Sequence, residues 1–139
     1  MEDLVRIAIS LPRGLLKSFD AASRRKGLTN RSEAIRELVR GILVEEEWTA
    51  GTGDAVGTVT LVYDHETLDL PRKLTRIQHS RGKWIVSTLH VHLDLHNCLE
   101  VLVLRGPANR VRALGEGFTG VKGVKHAKFT MTTSGRHLH

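Results

Sequence analysis

Residues 87–100 have the sequence STLHVHLDLHNCLE, and this stretch decides the fold of the second half of the chain. Leucine and valine alternate with polar residues across its first half, which is the pattern of a half-buried strand. The polar run DLHNC that follows indicates a turn. We therefore predict two neighbouring strands, over residues 84–93 and 99–105.

The flanking segments continue the alternation of strand and helix. They predict a strand over 56–63, a helix over 70–81, a helix over 108–119 and a strand over 124–132. With the central pair of strands this gives the order βαββαβ, that of the ferredoxin-like sandwich, in which two helices cover one face of an antiparallel sheet. The open face of such a sheet needs a partner.

The first half of the chain begins with an isolated strand pattern, LVRIAISL over residues 4–11. Two helices follow it. The first opens at Pro12 and stops at Gly27, and the second is capped by Asn30 with Glu33 in a capping box and is expected to end at the polar run of residues 45–47 and the glycines after it. A lone strand leaves its backbone groups without partners, so we expect it to pair with the same strand of a second copy about a two-fold axis. Such a ribbon fits the major groove of DNA.

Composition limits the possible classes of protein. The 139 residues carry a formal charge of +6, which suits a polyanionic partner but is shared by many enzymes. A single cysteine cannot form an intramolecular disulfide, the N-terminus lacks signal-peptide features, and no apolar run approaches the roughly 20 residues of a membrane span. We expect a soluble, cytoplasmic protein with no membrane association.

We predict four segments along the chain. A DNA-binding domain spans 1–48, a glycine-rich linker spans 49–55, a second domain spans 56–133, and a flexible tail spans 134–139. Neither domain is large enough to bury an extensive core alone, so oligomerisation is expected.

The central strand also carries a candidate metal site. His90 and His92 point to the same side of a strand, while Leu89, Val91 and Leu93 point into the core, so we expect the histidines to face a neighbouring subunit. An HxH pair alone is more often a solvated polar pair, but Cys98 returns towards the same side. Imidazole and thiolate ligands together suit a borderline or late transition metal rather than calcium or magnesium. The fourth ligand stays open among His65, His79 and His96.

At this point a family resemblance becomes specific. The segments VRIAISLPRGLLKSFD and NRSEAIRELVR resemble a ribbon-helix-helix DNA-binding domain, and TLHVHLDLHNCLE resembles the nickel site of the nickel-responsive transcriptional regulators. The resemblance covers about residues 1–133. It implies an α+β chain with an N-terminal ribbon-helix-helix region, which forms an intertwined dimer, and a C-terminal ferredoxin-like domain of the ACT type. It also implies a homotetramer, built as a dimer of dimers.

The resemblance further implies the residues that serve each site. Nickel would be bound in a square-planar site, one Ni(II) per subunit, by His90, His92 and Cys98 of one subunit and His79 of its neighbour. Further matching positions are Tyr63 and Glu100 beside the nickel ligands, and Glu33 and Glu37 for a secondary cation, although relatives usually have Asp in place of Glu37.

For DNA, the positions that match are Arg6, Ala8 and Ser10 on the ribbon, with Arg31 and Arg36 as phosphate contacts. Relatives commonly show Arg, Thr and Thr on the ribbon, so Ala8 replaces a hydroxyl by a methyl group that can touch thymine. A different operator sequence is expected.

The expected function is a nickel-dependent repressor of nickel-uptake genes that binds a palindromic operator in double-stranded DNA. Two alternatives keep the architecture and change the effector, to another transition metal or to a small-molecule ligand. An enzyme is not expected, because no general base and oxyanion arrangement is evident around Cys98.

Overall fold

The computed structural model describes residues 2–67, 70–80 and 82–138. The chain divides into two compact units, Met1–Gly41 and Ile42–His139. Helix α1 spans Arg13–Arg25, and helix α2 spans Arg31–Ala50, so the division between the units falls inside α2.

Two local devices shape the N-terminal unit. The Asn30 side chain accepts a hydrogen bond of 2.8 Å from the Glu33 N–H and so caps α2, as predicted. The other half of the expected capping box is not made, because the Glu33 carboxylate instead contacts Arg36 at 2.8 Å and Arg40 at 3.6 Å. Between the helices, Arg31 donates two hydrogen bonds of 3.0 and 2.9 Å to the Asp20 carboxylate.

The N-terminal unit has almost no buried side chains of its own. Among residues 2–41 only Ser23 and Ala34 are buried. Residues 2–12 join no sheet of the described chain, and Ile7, on the face predicted to be apolar, is 73% exposed. The pairing of this segment with a second copy stays a prediction, and the exposed apolar face is what such pairing would cover.

The C-terminal unit contains the predicted βαββαβ order. Its elements are β1 (Asp54–Asp64), α3 (Leu70–Ser80), a short 3-10 turn (Gly82–Trp84), β2 (Ile85–His92), β3 (Asn97–Pro107), α4 (Ala108–Thr119) and β4 (His126–Thr132). The strands form one antiparallel sheet in the order β2-β3-β1-β4. The helix predicted over 70–81 is described as far as Ser80, and position 81 lies outside the described residues.

The core lies on one face of this sheet, against α3 and α4. Every second residue of β1, and of β3 as far as Leu104, is buried there, together with Leu70, Leu74 and Phe118 from the helices. Phe129 of β4 lies so close to Gly57 and Gly115 that a Cβ atom at either glycine would come within 2.6 Å of its ring. Glycine at both positions therefore allows the closest approach of α4 to the sheet.

Helix α2 runs further than the sequence indicated. The polar run at 45–47 predicted its end, and a linker was expected over 49–55, but α2 continues to Ala50 and β1 begins at Asp54. The reason is Trp48, which is buried, donates a hydrogen bond of 2.9 Å from its indole N–H to the Thr132 carbonyl, and meets the Phe129 ring edge-on. Packing of this one side chain outweighs the polar residues beside it.

The expected orientation of β2 is wrong. Leu89, Val91 and Leu93 do not enter the core: Leu89 is 59% exposed and all three lie at the surface. His90 pairs with Glu100 and His92 with Cys98, and directly opposed residues of an antiparallel pair share a face. The histidines therefore lie on the helix-covered side. Alternation identified two faces, but only the register with β3 shows which of them carries the core.

Residues 134–138 form a turn, in which the Leu138 N–H donates to the Gly135 carbonyl at 3.2 Å. Just before it, the Thr133 hydroxyl donates to Glu47 at 3.1 Å. The flexibility expected for the tail stays a prediction.

Candidate metal centre

Two of the predicted ligands, His92 and Cys98, are in contact at one end of the β2–β3 hairpin, and a third, His90, has its ring beside that of His92. The Cys98 sulfur lies 3.4 Å from Nδ1 of His92, and the ring centroids of His90 and His92 are 5.2 Å apart. Cys98 is fully buried, whereas both histidines are exposed. The hairpin register produces this arrangement, because β2 and β3 place His92 directly opposite Cys98. A soft thiol and two imidazoles on one side of a hairpin fit a late transition metal.

A hydrogen-bonded group of polar side chains lies behind these ligands. Glu100, opposite His90, accepts a hydrogen bond of 2.9 Å from the Tyr63 hydroxyl and one of 2.6 Å from the Gln78 amide. Burial is the main cause that raises the pKa of Tyr63 far above its usual value, and the bond to Glu100 adds to it, so the hydroxyl stays a donor. The carboxylate is thus held by two neutral donors from β1 and α3.

Gln78 was not predicted as part of the site. It connects α3 to the hairpin, because its side chain bonds Glu100 while the next residue, His79, is exposed on the same helix. The only sequence signal was its position next to a candidate ligand.

His79 itself does not join the other three ligands within one chain. It lies on α3 along an exposed depression that Pro71, Arg72, Thr75 and Arg76 also line. Two groups of metal-ligand side chains are found among the described residues, His65 with His92 and Cys98, and Asp64 with Glu66 and His96, and neither contains His79 or His90.

His65, which the sequence left open as a fourth ligand, lies beside the site. Its Nδ1 is 3.5 Å from the Cys98 sulfur, and its ring meets that of His92 edge-on at 5.9 Å. Its backbone N–H donates to the His96 carbonyl at 3.0 Å, which ties the end of β1 to the turn between β2 and β3. His96 points to the Glu66 carboxylate, 3.2 Å away, rather than to the thiol.

The Cys98 thiol is held in its neutral form. Burial raises its pKa, and the nearby carboxylates of Asp64, Asp94 and Glu100 raise it further. A metal that binds this sulfur must therefore displace a proton, and the affinity for the metal should fall as the pH is lowered.

The residues predicted to contact DNA lie in the N-terminal unit. Arg6, Ala8 and Ser10 are exposed along residues 2–12. Arg31 and Arg36 are engaged with Asp20 and Glu33, and the bond to Arg36 is the main cause that lowers the pKa of Glu33. The roles in DNA binding stay predictions. So does the secondary cation role of Glu33 and Glu37; two guanidinium groups already contact Glu33.

Comparison with known families covers both units. Residues 5–46 match the ribbon-helix-helix proteins of the copG family, and residues 56–132 match the NikR C terminal nickel binding domain. Together the two matches reproduce the predicted order of an N-terminal ribbon-helix-helix region and a C-terminal nickel-binding domain.

Curated relatives match over the whole length of the chain. Proteins of Geobacter metallireducens and Geobacter sulfurreducens are 55% and 53% identical over 139 residues, which is 100% of each chain. A protein of Pyrococcus furiosus is 46% identical, covering 97% of this chain and 98% of its own. Each is provisionally named a nickel-responsive regulator.

A solved structure supports the fold alone. It is of an uncharacterized protein from Thermotoga maritima, with a TM-score of 0.51 and 16% identity, and the match covers 58% of this chain and all of the other. None of the helices in the described ranges is long and apolar enough to cross a membrane. The two family matches and the full-length relatives show that the chain belongs to the nickel-responsive regulators, which join a ribbon-helix-helix DNA-binding region to a NikR nickel-binding domain, and is not an enzyme.

Proposed function

We propose that this regulator is a repressor of nickel-uptake genes that works in the cytoplasm as a homotetramer, a dimer of dimers. It binds one Ni(II) per subunit through His90, His92 and Cys98, and His79 of the partner subunit supplies the fourth ligand. The nickel-bound form holds a palindromic operator in double-stranded DNA. Nickel and DNA then favour the same arrangement of the subunits, so each strengthens the binding of the other.

The observation that carries the proposal is the contact of His92 with Cys98 at 3.4 Å, with His90 on the same face. His90 and His92 lie on β2, an edge strand of the sheet, and are open to solvent, whereas Cys98 lies buried on the neighbouring strand β3. Three ligands from one hairpin leave room for a fourth from outside the chain. His79 is exposed on α3 and contacts none of them in its own subunit, which fits a ligand given to a neighbour.

The chain also offers a route from the ligands to α3. Gln78 donates to Glu100, Glu100 accepts from Tyr63, and His79 follows Gln78 directly. A subunit whose hairpin is fixed by nickel therefore also holds the helix that supplies the next site. In this way Tyr63 and Glu100 position ligands without touching the metal.

In the DNA-binding half, we propose that Arg6, Ala8 and Ser10 of a two-stranded ribbon contact base edges. Arg31 and Arg36 would bind phosphates after exchanging their present carboxylate partners. Glu33 and Glu37 would hold a secondary cation only after Arg36 and Arg40 leave the Glu33 carboxylate.

The position of His65 favours a second candidate, in which another transition metal is the effector. His65, His92 and Cys98 offer three ligand atoms within 4.8 Å of one another in a single chain. A metal held there would need neither His90 nor the partner subunit. Zinc suits such a mixed imidazole and thiolate set.

The test is an operator gel-shift titration with nickel, cobalt, zinc and copper. It compares the wild type with His79→Ala and with His126→Ala, a matched control at an exposed histidine of β4. Nickel alone should promote operator binding, His79→Ala should abolish the response, and His126→Ala should keep it. Tight operator binding by the metal-free protein, or an unchanged nickel response in His79→Ala, would refute the proposal; a response to zinc that depends on His65 would favour the second candidate.

A further inference from the structure

Two oppositely charged surfaces of the C-terminal unit remain unexplained by the nickel ligands. The first, which we call the basic face of α3, carries Arg72 and Arg76 next to His79. These residues are spaced four and three apart, so they lie on one side of the helix. No described residue forms an ion pair with either arginine, and the sequence of α3, LPRKLTRIQHS, contains no acidic residue.

The second surface, the acidic rim, consists of Asp64, Glu66 and Asp94 around the mouth of the metal centre. Oxygen atoms of Asp64 and Glu66 lie within 4.8 Å of each other and of His96. Asp64 and Asp94 are close enough to act electrostatically on the Cys98 thiol. The rim contacts histidines within its own chain: Glu66 lies 3.2 Å from His96 and 4.0 Å from His65.

Lys125 forms no ion pair with this rim. The Lys125 ammonium lies at the same end of the sheet but donates its hydrogen bond of 2.6 Å to the Asn97 amide oxygen. Asp94 accepts hydrogen bonds from Asn97 and from the His96 backbone N–H. These donors hold its carboxylate in the turn, and none of them is a cation.

We propose that the basic face of α3 docks on the acidic rim of a second copy of this chain, with Arg76 against Glu66. The inference rests on the proposed function, in which His79 of the partner subunit enters the metal centre. When it does so, Arg76 follows one helical turn away, about 5 to 6 Å from His79 at the Cβ level. The rim surrounds the same centre, so the guanidinium arrives among carboxylates. The pairing fixes which helix meets which site and steers the two copies together.

The first test measures nickel dissociation constants, by competition with a chelator, and subunit assembly, by native mass spectrometry, on the full chain. Reversing one charge with Arg76→Glu or Glu66→Arg should weaken nickel binding by about tenfold or more, because like charges then meet at the interface. Arg110→Glu, which makes the same charge change at an exposed position of α4, should leave nickel binding unchanged. Circular dichroism checks that each variant folds.

A mixture of the two variants gives the decisive result. A mixed oligomer contains two kinds of interface. In one, Glu66 of the Arg76→Glu chain meets Arg76 of the Glu66→Arg chain. In the other, the arginine introduced at position 66 meets the glutamate introduced at position 76, so both interfaces join opposite charges. Mixing equal amounts should therefore restore most of the lost nickel affinity, and mixed oligomers should outnumber either pure form. In about 0.5 M salt the difference in nickel affinity between the wild type and Arg76→Ala should become smaller, because salt screens the attraction between Arg76 and Glu66.

The outcomes separate this inference from the proposed function. If His79→Ala abolishes the nickel–thiolate absorption band while Arg76→Glu and Glu66→Arg behave like Arg110→Glu, the docking is refuted and the proposed function stands. If single reversals weaken binding but the mixture restores nothing, the pairing between chains is also refuted. If His79→Ala leaves the band and the affinity unchanged, the proposed function fails and the docking fails with it.

Discussion

The two units of the chain differ in how much hydrophobic core each of them buries within one copy. In residues 2–41 only Ser23 and Ala34 are buried, and the apolar face of the first strand lies open. The C-terminal unit has a complete core, with Val59, Leu102 and Phe118 fully buried. The first unit therefore buries almost no core within one copy. The second buries a core of its own, and in the proposed function it needs a partner only for one metal ligand.

This difference connects stability with function. If the ribbon is shared between two chains as proposed, the DNA-binding unit forms only in the oligomer, and its stability depends on protein concentration. If His79 of a neighbour completes the proposed metal site, the C-terminal unit needs that neighbour for metal binding but not for its core. On this view, nickel acts on subunit arrangement, whereas dimerisation acts on the folding of the ribbon.

The largest effect should come from the C-terminal core. Phe118→Ala should lower the free energy of unfolding by about 3 to 5 kcal/mol, because the ring is fully buried and leaves a cavity. Since its contacts lie within one chain, the loss should be similar at every protein concentration in urea denaturation. Glu116→Ala, exposed on the same helix, is the control and should change little. A loss that grows with dilution would mean that this core is shared between chains.

A second prediction tests the opposite unit. Ile7→Ala should cost about 2 to 4 kcal/mol per chain if the ribbon buries this side chain, although it is 73% exposed in one chain. The midpoint of urea unfolding should then depend on protein concentration. Arg6→Ala, on the other face of the strand, should keep the stability and weaken operator binding. A cost below about 0.5 kcal/mol for Ile7→Ala would show that the strand does not pair through this face.

The same contrast explains what the sequence could predict. Periodicity and turn residues were enough for the βαββαβ order, because strands and helices of one chain bury their own faces. The placement of His90, His92 and Cys98 on one face of the hairpin followed from alternation and one turn, while their role as metal ligands stays a prediction. Periodicity within a chain contains the information for contacts within that chain.

Long-range packing caused the failures. The exposed position of Leu89 follows from the register of β2 on β3, and the last residues of α2, up to Ala50, follow from the contact of Trp48 with Thr132, 84 residues away. Neither is visible in local spacing. Glu33 was expected to complete a capping box, but Arg36 and Arg40 compete for its carboxylate, and local motifs do not rank such competitors.

A third prediction concerns the boundary between the units. Trp48 lies before the linker expected at 49–55, yet its contacts belong to the C-terminal unit. Trp48→Phe removes the hydrogen bond to the Thr132 carbonyl and should cost about 1 to 2 kcal/mol. Hydrogen exchange should then speed up in β4 and stay unchanged in α1. The control is Glu46→Ala, which is exposed on the same helix and should leave both exchange rates unchanged. Faster exchange in α1 of the Trp48→Phe variant would mean that Trp48 belongs to the N-terminal unit instead.

The smallest expected effect is a pH dependence in the turn of the C-terminal hairpin. Hydrogen bonds from the Asn97 side chain and from the backbone N–H groups of Asn97 and His96 lower the pKa of Asp94 to about 2. Because this value is below the ordinary 3.8 of the unfolded chain, the carboxylate stabilises the folded state above about pH 4, and this contribution is lost as the pH falls towards 2. Asp94→Asn keeps an oxygen acceptor but cannot titrate, so the difference in melting temperature between wild type and variant should shrink over that window.

Asp20 offers the matching measurement in the N-terminal unit. The hydrogen bond from Arg31 is the main cause that lowers the pKa of Asp20. Asp20→Asn therefore weakens a contact between α1 and α2, whereas Asp94→Asn leaves that contact intact. If the first unit depends on the second copy, the stability that Asp20 loses at low pH should vary with protein concentration. The stability that Asp94 loses at low pH should not. If the two curves of stability against pH shift together on dilution, both units unfold as one. The distinction between a core shared by two chains and a core within one chain would then be wrong.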